Sequence, residues 1–283
     1  MDCIVVDSTT KLRKDFLKEI ENKISVKVVP VRVYIDDQEF EDSDEIFDKI
    51  TKAIEENKKL ETSLPSVSLV EKLFQELSSD YEHVYVLSVS SMFSGTYNLF
   101  STIASKYENI AVFDSKTVSI QNTYIFERMV KDILSGKILE DDDIISYRDD
   151  SMFLISVFDT GRLHKSGRVG KVVSLIGKIM HIKPILTIER TGEVGLVGKA
   201  LTSKKVLDIL IERFDEFVQK NPKETKGFIL YAAVGSEKYK EYVYEIARYF
   251  SLKPMFLEIG SAVTGHVGLE GFGIVLGKDI NGE

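Results

Sequence analysis

Between Leu87 and Asn98 the chain reads Leu-Ser-Val-Ser-Ser-Met-Phe-Ser-Gly-Thr-Tyr-Asn. The β-rich run His83–Ser90 breaks there into a loop dense in hydroxyls, and Ser94-Gly95-Thr96 has the composition of a helix start. Ser94 is placed as the N-cap, its side-chain oxygen accepting from the first free helix amides. Backbone N–H groups at such a turn, together with the hydroxyls, make a cradle for an anionic oxygen, whether carboxylate or phosphate. The same residues also fit an ordinary capped helix after a strand. A second chemistry stays open: a small-molecule hydrolase or transferase in which Ser94 is the nucleophile and His266 its base.

The pattern recurs. Cys3-Ile-Val-Val is an apolar strand ending in Asp7-Ser8-Thr9-Thr10, followed by Leu12, Phe16 and Ile20 at helical spacing. Thr62-Ser63-Leu64-Pro65-Ser66 precedes a helix with Val70, Leu73, Phe74 and Leu77 on one face, and Ile110-Ala-Val-Phe ends in Asp114-Ser115-Lys116-Thr117. Near-continuous apolar strands alternating with amphipathic helices predict a parallel sheet covered on both faces. Ligands of such sheets bind outside the carboxyl ends of the strands. The hydroxyl clusters are therefore expected to converge there.

Other chemistries lack their residues. The chain carries neither a Gly-x-Ser-x-Gly elbow nor a Gly-x4-Gly-Lys-[Ser/Thr] phosphate loop, and its four histidines show no metal-ligand spacing. No metal and no cofactor are expected. The single cysteine, Cys3, allows no intramolecular disulfide and reads as a small core residue of the first strand. A net charge of −8 disfavours general binding to nucleic acid or to anionic membrane surfaces. Met1-Asp2 leads directly into a strand without a basic leader, and no apolar run approaches the roughly 18 residues that span a bilayer. A cytoplasmic protein without membrane insertion is expected.

At 283 residues, 43% of them hydrophobic and 29% charged, the chain can bury one large core or two ordinary ones. The polar, acid-rich stretch Gly136–Asp150 marks a boundary, and beyond it the pattern is less regularly βα. Strands are predicted at 153–158, 185–189, 194–199, 228–234, 255–259 and 273–276, and helices over 169–180 and around Val206, Leu210, Phe214 and Phe217. Arg190-Thr191-Gly192-Glu193 is expected to turn an antiparallel hairpin. The fold class is α/β in two domains. Residues 1–150 form a Rossmann-like domain with a parallel sheet, residues 151–283 an α+β domain with a mostly antiparallel sheet, and a ligand cleft is expected between them.

Seven motifs in order resemble the DegV family of bacterial fatty-acid-binding proteins: Asp7-Ser8-Thr9, Thr62-Ser63-x-Pro65-Ser66, Ser94-Gly95-Thr96-Tyr97-Asn98, Asp114-Ser115-Lys116, Gly167-Arg168, Ile182-Lys183-Pro184-Ile185 and His266. The resemblance implies a bound long-chain fatty acid whose carboxylate is held by Thr62, Ser63, Ser94, Gly95, Thr96, Arg168 and His266. It also implies a non-catalytic role as binding subunit of a fatty acid kinase, to which the acid is presented for acyl-phosphate formation. Three departures stand out: Ser166 before Gly167-Arg168, Val267-Gly268-Leu269-Glu270 after His266, and Leu201 where the family often has Arg. Phe93, Ile120 and Phe158 are named as walls of an acyl tunnel without any support from spacing.

Overall fold

The computed structural model describes residues 1–165, 167, 182–221 and 227–279. Its contacts divide the chain into two compact units, Met1–Arg148 with Gly260–Gly265, and Asp149–Ile259 with His266–Glu283.

In the first unit, β1 (Cys3–Asp7), β2 (Ser25–Val29), β6 (Val84–Ser88) and β7 (Ile110–Asp114) form a parallel sheet in the order β2-β1-β6-β7. The two central strands, Cys-Ile-Val-Val-Asp and Val-Tyr-Val-Leu-Ser, are buried along their whole length, as continuous apolar runs covered on both faces must be. Side chains alternate across the sheet. Ile4, Val6, Tyr85 and Leu87 pack with Ile125, Phe126 and Met129 of α5 (Ile120–Leu134). Cys3, Val5, Val84 and Val86 pack with Val70, Phe74 and Leu77 of α3 (Val67–Asp80) and with Phe100 and Ile103 of α4 (Thr96–Ala104).

Between β2 and α3 the chain inserts a small antiparallel sheet that the sequence pattern does not announce. Its strands β3 (Arg32–Ile35), β4 (Gln38–Glu41) and β5 (Leu60–Ser63) take the order β4-β3-β5, with α2 (Phe47–Glu55) between the last two. Only four residues long, each strand carries too little period-2 signal to be read alone. The sheet closes over Val31, Val33, Ile46 and Ile50, and Ala262 joins the same cluster.

The second unit holds a six-stranded sheet of β8 (Ser151–Val157), β9 (Lys183–Ile188), β10 (Val194–Ala200), β11 (Phe228–Val234), β12 (Pro254–Leu257) and β13 (Gly271–Lys278), ordered β10-β9-β8-β13-β11-β12. Only β11 and β12 run parallel; the other neighbours are antiparallel. The β9–β10 hairpin turns at the expected place, Gly192 taking a φ of 88° that an L side chain rarely adopts. Helix Ser203–Lys220 begins at Thr202, whose side chain accepts the Lys205 N–H at 3.2 Å, and buries Val206, Leu210, Phe214 and Phe217.

The structure thus has a parallel sheet and a separate, mostly antiparallel one, the α/β class expected. A second domain running without interruption over 151–283 needs correction, because Gly260–Gly265 belongs to the first unit. The cause is local: Ala262 donates its N–H to Asp42 at 2.9 Å, and Ser261 its hydroxyl to the Ser43 carbonyl at 2.9 Å. The helix expected over 169–180 lies outside the described residues. No described helix is long and apolar enough to cross a membrane.

Two glycines in the second unit are set by close approach of backbones. A Cβ on Gly271 would lie 2.4 Å from the Ser156 carbonyl oxygen, and one on Gly235 would lie 2.1 Å from that of Leu269. Ser156 belongs to β8, paired with β13, and Gly235 is held to β13 by its N–H on the Gly271 carbonyl at 2.9 Å. Gly271→Ala and Gly235→Ala should each cost about 1–3 kcal/mol in urea unfolding, the range for overpacking. Unchanged midpoints would show that the backbones are farther apart than described.

Candidate functional site

The parallel sheet reverses its winding between β1 and β6, since β2 lies outside β1 on one side and β7 outside β6 on the other. Such a switch point leaves a crevice at the carboxyl ends of the two strands. Asp7 ends β1, and its carboxylate holds both loops that leave this point. One oxygen accepts the Thr9 N–H at 3.0 Å and the Thr9 hydroxyl at 2.5 Å, and the other accepts the Val89 N–H at 2.6 Å. Burial pushes the Asp7 carboxyl above its ordinary range, with the three donors pulling the other way.

The loop after β6 is pinned at nearly every residue. Ser90 donates its N–H to the Thr117 carbonyl at 2.8 Å, and its own carbonyl accepts from Phe93 and Ser94. Ser91 donates its N–H to Asp114, which also takes the Lys116 ammonium at 2.6 Å; that ammonium lies 3.3 Å from the Ser91 hydroxyl. Burial raises the Asp114 carboxyl, but bonds from Lys116 and Ser91 outweigh it and leave the group below its ordinary range.

Ser94 is not the N-cap of α4. Gly95 occupies that position, and Ser94 stands one residue earlier, its N–H on the Ser90 carbonyl. Its side-chain oxygen accepts the Thr96 N–H at 3.2 Å and pairs with the Thr96 hydroxyl at 2.7 Å. Thr96 is wholly buried whereas Ser94 is half-buried. A Thr96 hydroxyl that donates to Ser94 leaves the Ser94 proton to point at a ligand. Within its unit, and among the described residues, the Ser94 hydroxyl has no imidazole or carboxylate as hydrogen-bond partner.

Thr62 and Ser63 are consecutive in β5, so their side chains leave opposite faces. Thr62 stands opposite Val33 and shares its face with Leu60 and the buried cluster around Ile46 and Ile50. Ser63 stands opposite Arg32 on the other face, where it bonds the Tyr34 hydroxyl at 3.4 Å; that hydroxyl in turn donates to Glu39 at 2.6 Å. A single carboxylate cannot take both hydroxyls of this pair.

On the Thr62 side two glycines mark close neighbours. A Cβ on Gly95 would lie 3.3 Å from the Leu64 side chain, and one on Gly265 would lie 3.9 Å from that of Leu60. Thr62 thus lies in the chain between Leu60, which the helix Ser261–Val267 approaches at Gly265, and Leu64, which the Ser94-Gly95-Thr96 turn approaches at Gly95. His266 follows Gly265 in the last turn of that helix and is half-buried. Arg168 lies outside the described residues. Of the apolar residues named as walls, Ile120 is fully buried at the start of α5, and Phe93 is half-buried. Phe158 packs into the second unit's own aromatic cluster, 5.0 Å from Tyr239. The one described group of side chains close enough to share an ion, Asp2, Glu82 and His83, lies at the amino ends of β1 and β6, the far end of the sheet from the hydroxyl clusters.

Several residues that organise the site escape sequence reading. Asp7 is legible in part, because an aspartate accepting an N–H two residues on is an ordinary turn device, but its second bond to Val89 spans 82 positions. Arg32, which donates to the Leu64 carbonyl at 2.9 Å, and Asp42, which reaches Ala262, carry no local signal at all.

A family model described as an uncharacterised protein of the DegV family matches residues 3–279. A DegV domain-containing protein of Clostridium acetobutylicum is 32% identical over 222 residues, 74% of this chain and 75% of the relative. One from Mycoplasmopsis pulmonis is 26% identical over 97% of this chain and 94% of its own. Among solved structures, a DegV family protein from Thermus thermophilus described for its fatty acid binding superposes with a TM-score of 0.87 at 23% identity, covering 98% of this chain and 99% of that one. A stearic acid-binding protein from Eubacterium ventriosum gives 0.83 at 23% identity, covering 98% of each. The family match spans nearly the whole chain, and the curated relative is 32% identical over 74% of it: the chain belongs to the DegV family.

Proposed function

We propose that this protein binds a long-chain fatty acid and holds its carboxylate at the Thr62 and Ser94 hydroxyls and the amides of the Gly95-Thr96 turn. The observation that carries the reading is the Thr96–Ser94 hydroxyl pair at the turn that packs on Leu64, where a Thr96 donor would leave the Ser94 proton for a ligand. Structural relatives described as fatty-acid binding support it. A carboxylate leaving water needs several donors to replace its hydration, and hydroxyls and backbone amides supply them without a metal. Each buried methylene contributes roughly 0.8 kcal/mol, so a tail of about 14 offers about 11 kcal/mol gross. Ordering and lost translation offset part of this. The tail therefore supplies most of the affinity and the hydroxyls set the orientation.

Nucleophilic catalysis through Ser94 has less support, since no base within its unit holds the hydroxyl among the described residues. The reading is of a binding protein, not an enzyme, with His266 and Arg168 as further carboxylate donors by family resemblance.

Mass spectrometry of an organic extract of the purified protein should yield a stoichiometric long-chain acid, and delipidated protein should bind oleate in calorimetry. Failure of both would end this reading. Ser94→Ala and Thr62→Val should each weaken oleate by about 1–3 kcal/mol, the range for an under-satisfied charged acceptor, and weaken oleyl alcohol less. Ser63→Ala, on the opposite face of β5, should leave both affinities within about 0.5 kcal/mol. A Ser63 effect as large as that of Thr62 would misplace the carboxylate.

Presentation of the bound acid to a kinase for acyl-phosphate formation is the finer step we propose from the same resemblance. Leu201 is 68% exposed just beyond β10, where a guanidinium would pair bidentately with phosphate or with partner carboxylates. With a fatty acid kinase subunit and ATP, Leu201→Arg should raise acyl-phosphate output while leaving oleate affinity unchanged. Flat output would remove the role given to this position.

A further inference from the structure

Asp42 is 4% exposed and lies just beyond β4 in the inserted sheet, 220 positions from the residue it holds. Its carboxylate accepts the Ala262 N–H at 2.9 Å. Ser8, in the loop leaving β1, accepts the Val31 N–H at 3.0 Å on its hydroxyl. Asp42's own N–H closes on the Val31 carbonyl at 2.8 Å. Asp42 thus joins the inserted sheet to the segment Gly260–Gly265, and the β1 loop meets the same point through Val31.

The rest of that segment is gripped around the same point. Gly260 has a φ of 89°, and the Lys11 stem lies so close across it that a Cβ there would be 2.2 Å from Lys11 Cε. Lys11 then reaches Asp44 at 3.1 Å. Ser261 bonds the Ser43 carbonyl, the Ala262 methyl enters the core with Val31, Val33 and Ile50, and Gly265 comes to rest against Leu60. Leu60 is two residues before Thr62 on the same face of β5, and the next residue after Gly265 is His266.

We propose that Asp42 is the positioning residue of the ligand site: by taking the Ala262 N–H on its buried carboxylate, it fixes the start of the Ser261–Val267 helix and so sets Gly265 against Leu60, two residues before Thr62. Asp42 touches no ligand itself. Its effect on binding passes through the segment it holds, and this role rests on the fatty-acid reading above.

The test has one arm without ligand and one with it. In delipidated protein, Asp42→Ala should speed hydrogen exchange of the Ala262–Thr264 amides by about tenfold, the loss of one bond to a charged acceptor, while amides of β1 and β6 keep their rates. In calorimetry the same variant should weaken oleate about tenfold and oleyl alcohol much less. Asp42→Asn, which keeps an acceptor oxygen for Ala262, should recover most of both effects. Should Asp42→Ala not fold, Asp42→Ser, too short to reach Ala262, is read in the same way. Unchanged exchange at 262–264 would overturn the clamp, and faster exchange with undiminished oleate affinity would overturn the positioning role. Native protein that binds no oleate would instead sink the fatty-acid reading, and the positioning role with it.

Discussion

A carboxylate with no access to water holds the first unit's switch point together. Asp7 meets Thr9 in the loop leaving its own strand and Val89 in the loop leaving the next, so the two loops cannot move apart without leaving a buried carboxyl short of its donors. An apolar residue at this position would satisfy burial better but would leave the Thr9 and Val89 amides unpaired. Loops at a strand end are otherwise the mobile part of an α/β fold. Here they are a framework. The loop after β6 gains further anchors from Thr117 and Asp114, which end the next strand and its turn. Rigidity matters because a donor that must be ordered when the ligand arrives loses part of its worth to that ordering.

The sheet geometry then decides which hydroxyls can act together. A strand sends neighbouring side chains to opposite faces, and β5 applies that rule to Thr62 and Ser63. Ser63 joins a surface chain running through Tyr34 to Glu39, while Thr62 turns toward the cluster that also buries Ala262. Two adjacent hydroxyls in a motif therefore have different duties. Ser94 and Thr96 show the opposite arrangement: a turn rather than a strand lets residues two apart meet, and one hydroxyl aims the other.

Much of this was legible in the residues. The continuous apolar runs of β1 and β6, the acid-rich stretch before β8 and the Gly192 turn all follow from local composition and period, and each element appears close to its expected place. Legibility fails where strands are short or partners distant. The four-residue strands of the inserted sheet lie below the length at which alternation is informative. Ser94 has the residue type that favours a cap, yet it stands one residue before the cap position, which Gly95 fills. Nor could any pattern in a single sequence show that Gly260–Gly265 packs with the first unit, since the groups that hold it, on Lys11, Asp42 and Ser43, lie more than two hundred positions away.

That long-range return has a consequence for how a ligand site can be built from neutral donors. Hydroxyls and amides are weak taken singly, and a carboxylate needs several of them aimed at one point. A metal or a lone arginine could do the same work with less precision in the surrounding chain, because charge acts over distance. Hydrogen bonds do not. The site proposed above, made of Thr62, Ser94 and the Gly95-Thr96 turn, would therefore need its pieces fixed to within a fraction of an ångström. The buried polar residues at the carboxyl ends of the strands, Asp7, Ser8, Ser90, Thr117 and Asp42 among them, supply that fixing. Their burial is a cost in hydration that a fold seeking only stability would avoid. They hold the loops that carry the hydroxyls, which is the support that the proposed site, built from uncharged groups, would need to take up a charge.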